Sequence, residues 1–578
     1  MWQAGYPVLS ALVFLPLAAC LAVVFLRREK TVRMFTLTVT LAEVALSLPL
    51  FGFDAADSGF QFVERVPWVK TWGLAYYLGV DGISLVMTGL TVAVLPLCVL
   101  CSWSSIRNRV KEFHFCLLFM TSACLGVFTA LDFVLFYVFW EAMLIPMYLL
   151  IAIWGGPERR YASIKFFLYT LVGSTLLLVA LVAFRYAGGS FDIPELMTKS
   201  YPFYFQYWTF LAMALAFAIK VPMFPFHTWL PAAHVQAPTA GSVILASILL
   251  KMGAYGFMRF SLPLTPAASQ YFAPMMIAVS LASVIYGGAV ALAQNDIKKI
   301  IAYSSVGHMG FVTMGIFLID FRGLQGALLQ MLNHGITTGA LFMMVGAVYE
   351  RSHSREVSHN LGLGKYLPAF MALWGLFAFS SFGFPGTNNF VGEFLVLLGA
   401  FQNQTWIGLA MIPGALLAAA YMLRLTQKMA WGAPSSARNW KDLNAREWAY
   451  LLPAAFFVIY IGLAPRFFFN VVDPSLENLV KQVKHRTTTV IDVDERRPVI
   501  GFVTLKSNTS PKMGVLMNPL KEGRFDIHFH RRVAEHAEDL FNFLLSAETR
   551  LTRLSESDGG QGAESKNQQP LGASTCYW

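Results

Sequence analysis

Six ionisable side chains stand inside apolar runs, where such groups are costly, and their types suit proton transfer. Glu141 lies in FYVFWEAMLIP, Lys220 in LAMALAFAIKVPMFPF, Lys251 after Ile248-Leu249-Leu250, His308 in AYSSVGHMG, His334 between Asn333 and Gly335, and Glu393 after FPGTNNFVG. A lysine at the centre of a membrane helix costs roughly 2.5–3.5 kcal/mol on insertion scales, so charge at that depth marks a site or a buried pair. Burial disfavours the charged form of either group, so a Lys–Glu pair holds or surrenders a proton according to whether the partners are together. Histidine, with an unperturbed pKa of about 6.5, suits the stations between them. Any one of the six could be a buried ion pair or a hydrogen-bonded core histidine; the set of two acids, two lysines and two histidines points to a relay. Helix breakers accompany the charges: Pro222, Pro225 and Pro231 follow Lys220, and Gly383-Phe384-Pro385-Gly386 precede Glu393. Broken helices are tolerated at membrane depth only where they are buried in protein or line a wet cavity.

The elements that position these groups must themselves be membrane helices. Of the 578 residues, 56% are hydrophobic and only 13% charged, which excludes a soluble globular protein. Apolar runs of about 20 residues recur along most of the chain, and the pattern predicts an all-α polytopic membrane protein of about 14 transmembrane helices. The expected spans lie near 7–26, 32–52, 77–103, 113–130, 132–154, 163–187, 206–230, 241–262, 271–294, 300–319, 324–349, 367–400, 406–430 and 447–469. Basic loops such as Arg27-Arg28-Glu29-Lys30, Arg107-Asn108-Arg109-Val110-Lys111 and Glu158-Arg159-Arg160 all fall on one side under strict alternation. The net charge of +10 therefore reads as positive-inside asymmetry rather than affinity for nucleic acid, and an even span count places both termini on the outer side.

Spans seven and twelve are the discontinuous ones, each beside an ionisable residue, and spans five and ten carry Glu141 and His308. Matching interrupted helices in two five-helix blocks, spans four to eight and nine to thirteen, are the mark of transporter repeats, and an odd number of helices per block makes the two repeats inverted. The expected division is an N-terminal three-helix segment (1–112), a first repeat (113–262), a second repeat (263–431), a last span (432–472) and a polar, partly helical extension (473–578). Within that extension one apolar stripe, near Val533–Leu554, predicts a helix.

Other polar residues carry less. Asp81 and Asp132 stand at span ends, where helix capping is the commoner use. Glu43 lies in span two, outside both blocks, and is expected to face a partner. His227 and His234 flank Trp229-Leu230-Pro231 and are candidates for entry or gating, and Lys298-Lys299 reads as an interfacial anchor beside Asp296. Cys98 and Cys101 form a CxxC inside an apolar helix without a second pair, so packing is expected of them rather than metal binding.

The runs FYVFWEAMLIPMYLL, AIKVPMFPFHTWLPAAHVQAPTAGSVILASILLKMGAYGFMRF, IKKIIAYSSVGHMGF and FPGTNNFVGEF resemble the antiporter-like membrane subunits of NADH:quinone oxidoreductase, respiratory complex I. The resemblance covers roughly residues 1–470 and is nearest to the branch called chain M, or chain 4 in mitochondria, because Glu393 stands where chains L and N typically carry lysine. It implies a proton channel of two inverted repeats, with Glu141 and Lys220 as an ion pair, Lys251 as the central lysine, His308 and His334 as a histidine link, and Glu393 as the terminal acid. The implied partners are the other membrane-arm subunits, above all the neighbouring chains L/5 and N/2, together with lipid and, through the extension, accessory subunits. No nucleotide, flavin, iron–sulfur or quinone motif is evident, so no cofactor is expected in this chain; NADH, FMN, iron–sulfur clusters and quinone belong to other subunits. The implied location is the mitochondrial inner membrane or bacterial plasma membrane. A multisubunit cation/proton antiporter subunit and a membrane scaffold with inert buried charges are the alternative readings.

Overall fold

The computed structural model describes residues 6–433 and 440–494, with side chains as far as residue 486, all within the compact unit Met1–Arg496. The helix expected near Val533–Leu554 lies outside the described residues. Helices α1 (Val8–Phe25) and α2 (Glu29–Ser47) lead into a two-stranded antiparallel hairpin, β1 (Gln61–Val69) and β2 (Leu74–Val80), which pairs Arg65 with Tyr77. The third span was expected to begin near Tyr77. It begins instead at Gly82, because Tyr76, Tyr77 and Val80 favour a strand and Asp81 stops it, its carboxylate accepting the Ser84 N–H at 2.9 Å.

Next come α3 (Gly82–Cys101), α4 (Val110–Thr129), α5 (Phe133–Ala142) and α6 (Leu144–Trp154), the last two meeting at Met143. Asp132 caps α5 through the Val134 and Leu135 N–H groups, the use expected for both Asp81 and Asp132. Cys98 and Cys101 are buried within α3 as packing residues. Then follow α7 (Arg159–Gly188), the short α8 (Ile193–Thr198), and the broken pair α9 (Phe203–Lys220) and α10 (Trp229–Gln236). The pair breaks where Pro222 and Pro225 remove two backbone donors.

Beyond the break run α11 (Thr239–Leu264), α12 (Pro266–Ala293), α13 (Ile297–Phe317) and α14 (Phe321–Ser352). A second broken pair, α15 (Pro368–Ser381) and α16 (Asn388–Asn403), parts at Gly383 (φ +73°) and Gly386 (φ +89°), left-handed conformations that favour glycine. Helices α17 (Thr405–Trp431) and α18 (Ala445–Leu463) follow, and α19 (Arg466–Asp494) ends the described chain. Among the described residues twelve helices are long and apolar enough to cross a bilayer, or up to thirteen if one bent pair counts as a span.

The core is not shared evenly among these helices. α11 is buried along its whole length and α13 and α14 nearly so, whereas more than half of α7, α12, α17 and α18 faces outward. The three buried helices are those that carry Lys251, His308 and His334. Two π-type turns, Leu245–Leu249 and Phe257–Ser261, flank Lys251 within α11. Such turns re-aim side chains and favour functional positions.

The end of the chain departs from expectation. The expected boundary at residue 473 lies inside α19. Val472, Leu476, Leu479, Val480 and Val483 bury one stripe of α19 at helical spacing, against α3, α12 and α14. The helix is amphipathic rather than apolar, so span length alone cut it short.

Candidate functional site

Four of the six candidate groups form one buried line. Lys251 comes from the centre of α11, and its Nζ lies 2.6 Å from His334 Nδ1 on α14, while also donating to the Ala246 carbonyl. The His334 ring is 5.6 Å, centroid to centroid, from that of His308 on α13. His308 Nδ1 in turn sits 2.7 Å from Glu393 Oε1 on α16, beside the second helix break. Lys251 and His334 are fully buried, and His308 and Glu393 are 3% and 7% exposed. Buried this deeply, the four groups are all of types that can exchange a proton.

The remaining two candidates, Glu141 and Lys220, do not touch. Lys220 is the last residue of α9 and is buried, yet its Nζ contacts Met143 Sδ at 3.5 Å and stands 5.1 Å from the Trp140 ring centroid. Glu141 Oε1 is buried with no hydrogen-bond partner. The ion pair implied for these residues is therefore open in this structure, and Trp140 and Met143 are the neighbours of the Lys220 ammonium instead. The break is also where α11 comes closest. A Cβ at Gly253 would lie 2.8 Å from the Phe217 carbonyl and 2.9 Å from the Val221 nitrogen, so the backbone two residues beyond Lys251 packs straight onto the last turn of α9.

Sequence reasoning missed the polar groups that fix the second break. Gln330 Nε2 donates to Glu393 Oε1 at 2.9 Å. Asn333 donates to the Asn388 carbonyl at 2.7 Å, and Ser380 to Asn388 Oδ1 at 2.6 Å, tying α14, α15 and α16 together across the gap. Tyr421 and Ser381 hydroxyls lie 3.4 and 3.5 Å from His308 Nε2, the nitrogen that does not face Glu393. A signal was available: Gln330 precedes His334 by four residues and so shares its helix face.

Four weaker candidates are all buried. Glu43 does not face outward: it is fully buried by this chain alone, and neither carboxylate oxygen has a partner. Lys298 is not a surface anchor, being buried with Nζ on the Ala237 carbonyl at 2.6 Å. His234 is fully buried and stacks on Phe342 at 4.5 Å. His227 is buried among Phe224, Tyr286 and Tyr303. Among the described residues no cluster of His, Cys, Asp and Glu could hold a metal ion.

Residues 130–418 match the family model described as NADH:quinone oxidoreductase/Mrp antiporter, TM. The chain is 45% identical over 495 residues to NADH-quinone oxidoreductase subunit M of Rhodobacter capsulatus, covering 82% of this chain and 96% of the relative. It is 40% identical to NADH-ubiquinone oxidoreductase chain 4 of Arabidopsis thaliana, over 82% of this chain and 97% of that one. Among solved structures, a chain of respiratory complex I from Thermus thermophilus superposes with a TM-score of 0.77 at 31% identity, covering 82% and 99% of the two chains. A chain of the Mrp complex from Dietzia sp. DQ12-45-1b shares the fold, with a TM-score of 0.74 at 19% identity over 84% of this chain and 99% of that one.

Proposed function

The chain belongs to the antiporter-like membrane subunits of NADH:quinone oxidoreductase, respiratory complex I, in the subunit M/chain 4 branch, and from that premise we propose how it moves protons. The observation that carries the reading is the buried line Lys251–His334–His308–Glu393, closed at one end by a 2.6 Å contact and at the other by a 2.7 Å contact. Protonated Lys251 gives its proton to His334 Nδ1, which must then be in the tautomer that leaves Nδ1 free to accept. The 5.6 Å between the two imidazole rings needs one bridging water or a small ring movement. His308 passes the proton to Glu393, which stands at the second break and releases it.

Lys220 reloads Lys251. Its proton affinity depends on how close Glu141 comes, and the open arrangement seen here is the one in which Lys220 is least held. Closing Glu141 onto Lys220 keeps the proton; opening the pair sends it towards Lys251. The two broken helices then serve as the openings of two inverted repeats, α9/α10 in the first and α15/α16 in the second.

Electron transfer from NADH to quinone drives the cycle from a distance, with NADH, FMN, iron–sulfur clusters and quinone held by other subunits. In the same reading the neighbouring antiporter-like chains L/5 and N/2 flank this subunit in the membrane arm. The protein sits in a mitochondrial inner or bacterial plasma membrane with both termini on the outer side. The test is the proton-to-electron stoichiometry of intact complexes carrying Lys220→Ala or Glu393→Ala. A fall in protons moved per electron is expected of each, and assembled complexes that pump at the wild-type ratio would overturn the relay.

A further inference from the structure

Away from the relay, a cavity of about 240 Å³ lies where the loop before β1, α8, the end of α11 and α19 meet. Two guanidinium groups line it, those of Arg259 and Arg486, together with the hydroxyl and amide groups of Ser58, Thr198, Asn478 and Gln482. Arg259 is 5% exposed; its Nε donates to Tyr255 at 3.0 Å, and its Nη2 to Asp81 at 2.6 Å and Ser84 at 3.0 Å. Its Nη1 has no partner among the described residues. Arg486 spends one nitrogen on the Pro263 carbonyl at 3.2 Å and pairs with no carboxylate among the described residues. Asp81 is the one acid in the described lining, so the cavity keeps an uncompensated positive charge with guanidinium donors to spare. Glu477 on α19 does not line the cavity and pairs with Lys481 at 3.4 Å.

Phe60, Met197, Met258 and Leu479 give the wall an apolar side. The cavity sits at the ends of the spans: Asp81 caps the start of α3, Pro263 closes α11, and α19 is too polar to cross a bilayer. A guanidinium pair beside an apolar wall at the membrane–water interface suits an anion that carries hydrocarbon. Guanidinium is the group that binds phosphate oxygens in two-point fashion.

We propose that this cavity binds a phosphate group, supplied by the headgroup of an anionic phospholipid, with Arg486 as the principal ligand and Arg259 as the buried second one. The site is independent of the proton relay, whose residues it does not share. The test uses the intact complex, washed exhaustively in detergent containing phosphatidylcholine, with the retained phospholipids counted by mass spectrometry. Arg486→Gln removes the free guanidinium and Met197→Trp fills the apolar side; neither residue belongs to the relay, so NADH-driven quinone reduction is the check that both complexes are whole. Each variant is expected to lose one anionic phospholipid per complex. A parallel arm measures binding of radiolabelled inorganic phosphate to the wild-type and Arg486→Gln complexes. One equivalent of phosphate bound by the wild type and lost in the variant, with lipid unchanged, keeps the phosphate site but overturns the lipid as its source. Unchanged lipid in both variants with no phosphate binding overturns the site itself.

Discussion

The two helix breaks hold their charges in opposite ways. At α9/α10 Lys220 rests on a ring and a sulfur, 5.1 Å from the Trp140 centroid and 3.5 Å from Met143, with Oε1 of Glu141 left unpartnered. At α15/α16 Glu393 is closed onto His308 at 2.7 Å and Gln330 at 2.9 Å, inside a frame of Asn333, Asn388 and Ser380. A cation over an aromatic face is worth roughly 0.5–2 kcal/mol, whereas a hydrogen bond to a charged group contributes about 1.5–3 kcal/mol. In the relay proposed above, the first break lets its charge go and the second retains it. A relay with a loose donor end and a tight acceptor end fills from one side, which two equal breaks would not ensure.

The sharpest way to break this comparison is at the element both halves share. Replacing Lys251 by alanine leaves His334 Nδ1 without its partner and cuts the line. NADH-driven quinone reduction in coupled membranes should fall at least about tenfold, equivalent to about 1.4 kcal/mol on the limiting step. Lys251→Arg separates relay from scaffold. Arginine keeps the charge but does not give up its proton, so it should assemble normally and pump as poorly as alanine; restored pumping would mean that Lys251 only holds α11 in place.

Next in size is a matched pair of neutral substitutions. Glu393→Gln keeps an acceptor for Gln330 but removes the charge that holds the His308 proton, and should reduce proton translocation several-fold. Glu141→Gln removes an acid that makes no ion pair with Lys220 here, and its effect should be confined to reloading of Lys220, seen as lower turnover at saturating substrate with assembly unchanged. If both variants lose the same amount of activity, the two breaks are equivalent and the asymmetry has no functional meaning. The supporting groups follow. Gln330→Leu takes one hydrogen bond from a buried carboxylate and should destabilise the second break by about 1.5–3 kcal/mol, read as an earlier midpoint of thermal inactivation; Trp140→Leu at the first break should shift that midpoint less.

How much of this was legible in the sequence follows from what each feature depends on. Buried charges and helix breakers are local and costly, so Lys220, Lys251, His308, His334 and Glu393 stood out against their apolar runs, as did both breaks. Partners across helices were not legible, because Gln330, Asn333 and Asn388 are ordinary polar residues until α14, α15 and α16 are brought together. Glu43 shows the same limit from the other side: its single run gave no sign that α1, α3 and α4 would cover it. The hairpin and α19 were lost to a rule that looks for length and hydropathy, since β2 is short and α19 is apolar on only one stripe.

The smallest predicted effect serves as the reference for what a membrane interior adds to an ion pair. Glu195 on α8 and Lys199 just beyond it lie outside the spans and pair at 2.6 Å, half exposed to solvent. The hydrogen bond from Lys199 holds the Glu195 carboxyl below its ordinary value of 4.5. A depressed folded-state pKa gives stability that is fully present above the unfolded value and is lost as pH falls through the folded one. Lys199→Ala should therefore lower the thermal midpoint more at neutral pH than below both values, where only its contact with the Gly188 carbonyl remains to be lost, and high salt should erase that pH-dependent part. The effect at neutral pH should stay under about 1 kcal/mol, the range of exposed pairs. The pair closed at 2.7 Å between His308 and Glu393 exchanges no such screening with water, so its substitution must cost more at every pH where both groups carry charge. Equal costs for the two pairs would show that the second break is wet, and that Glu393 is already open to solution before any proton arrives.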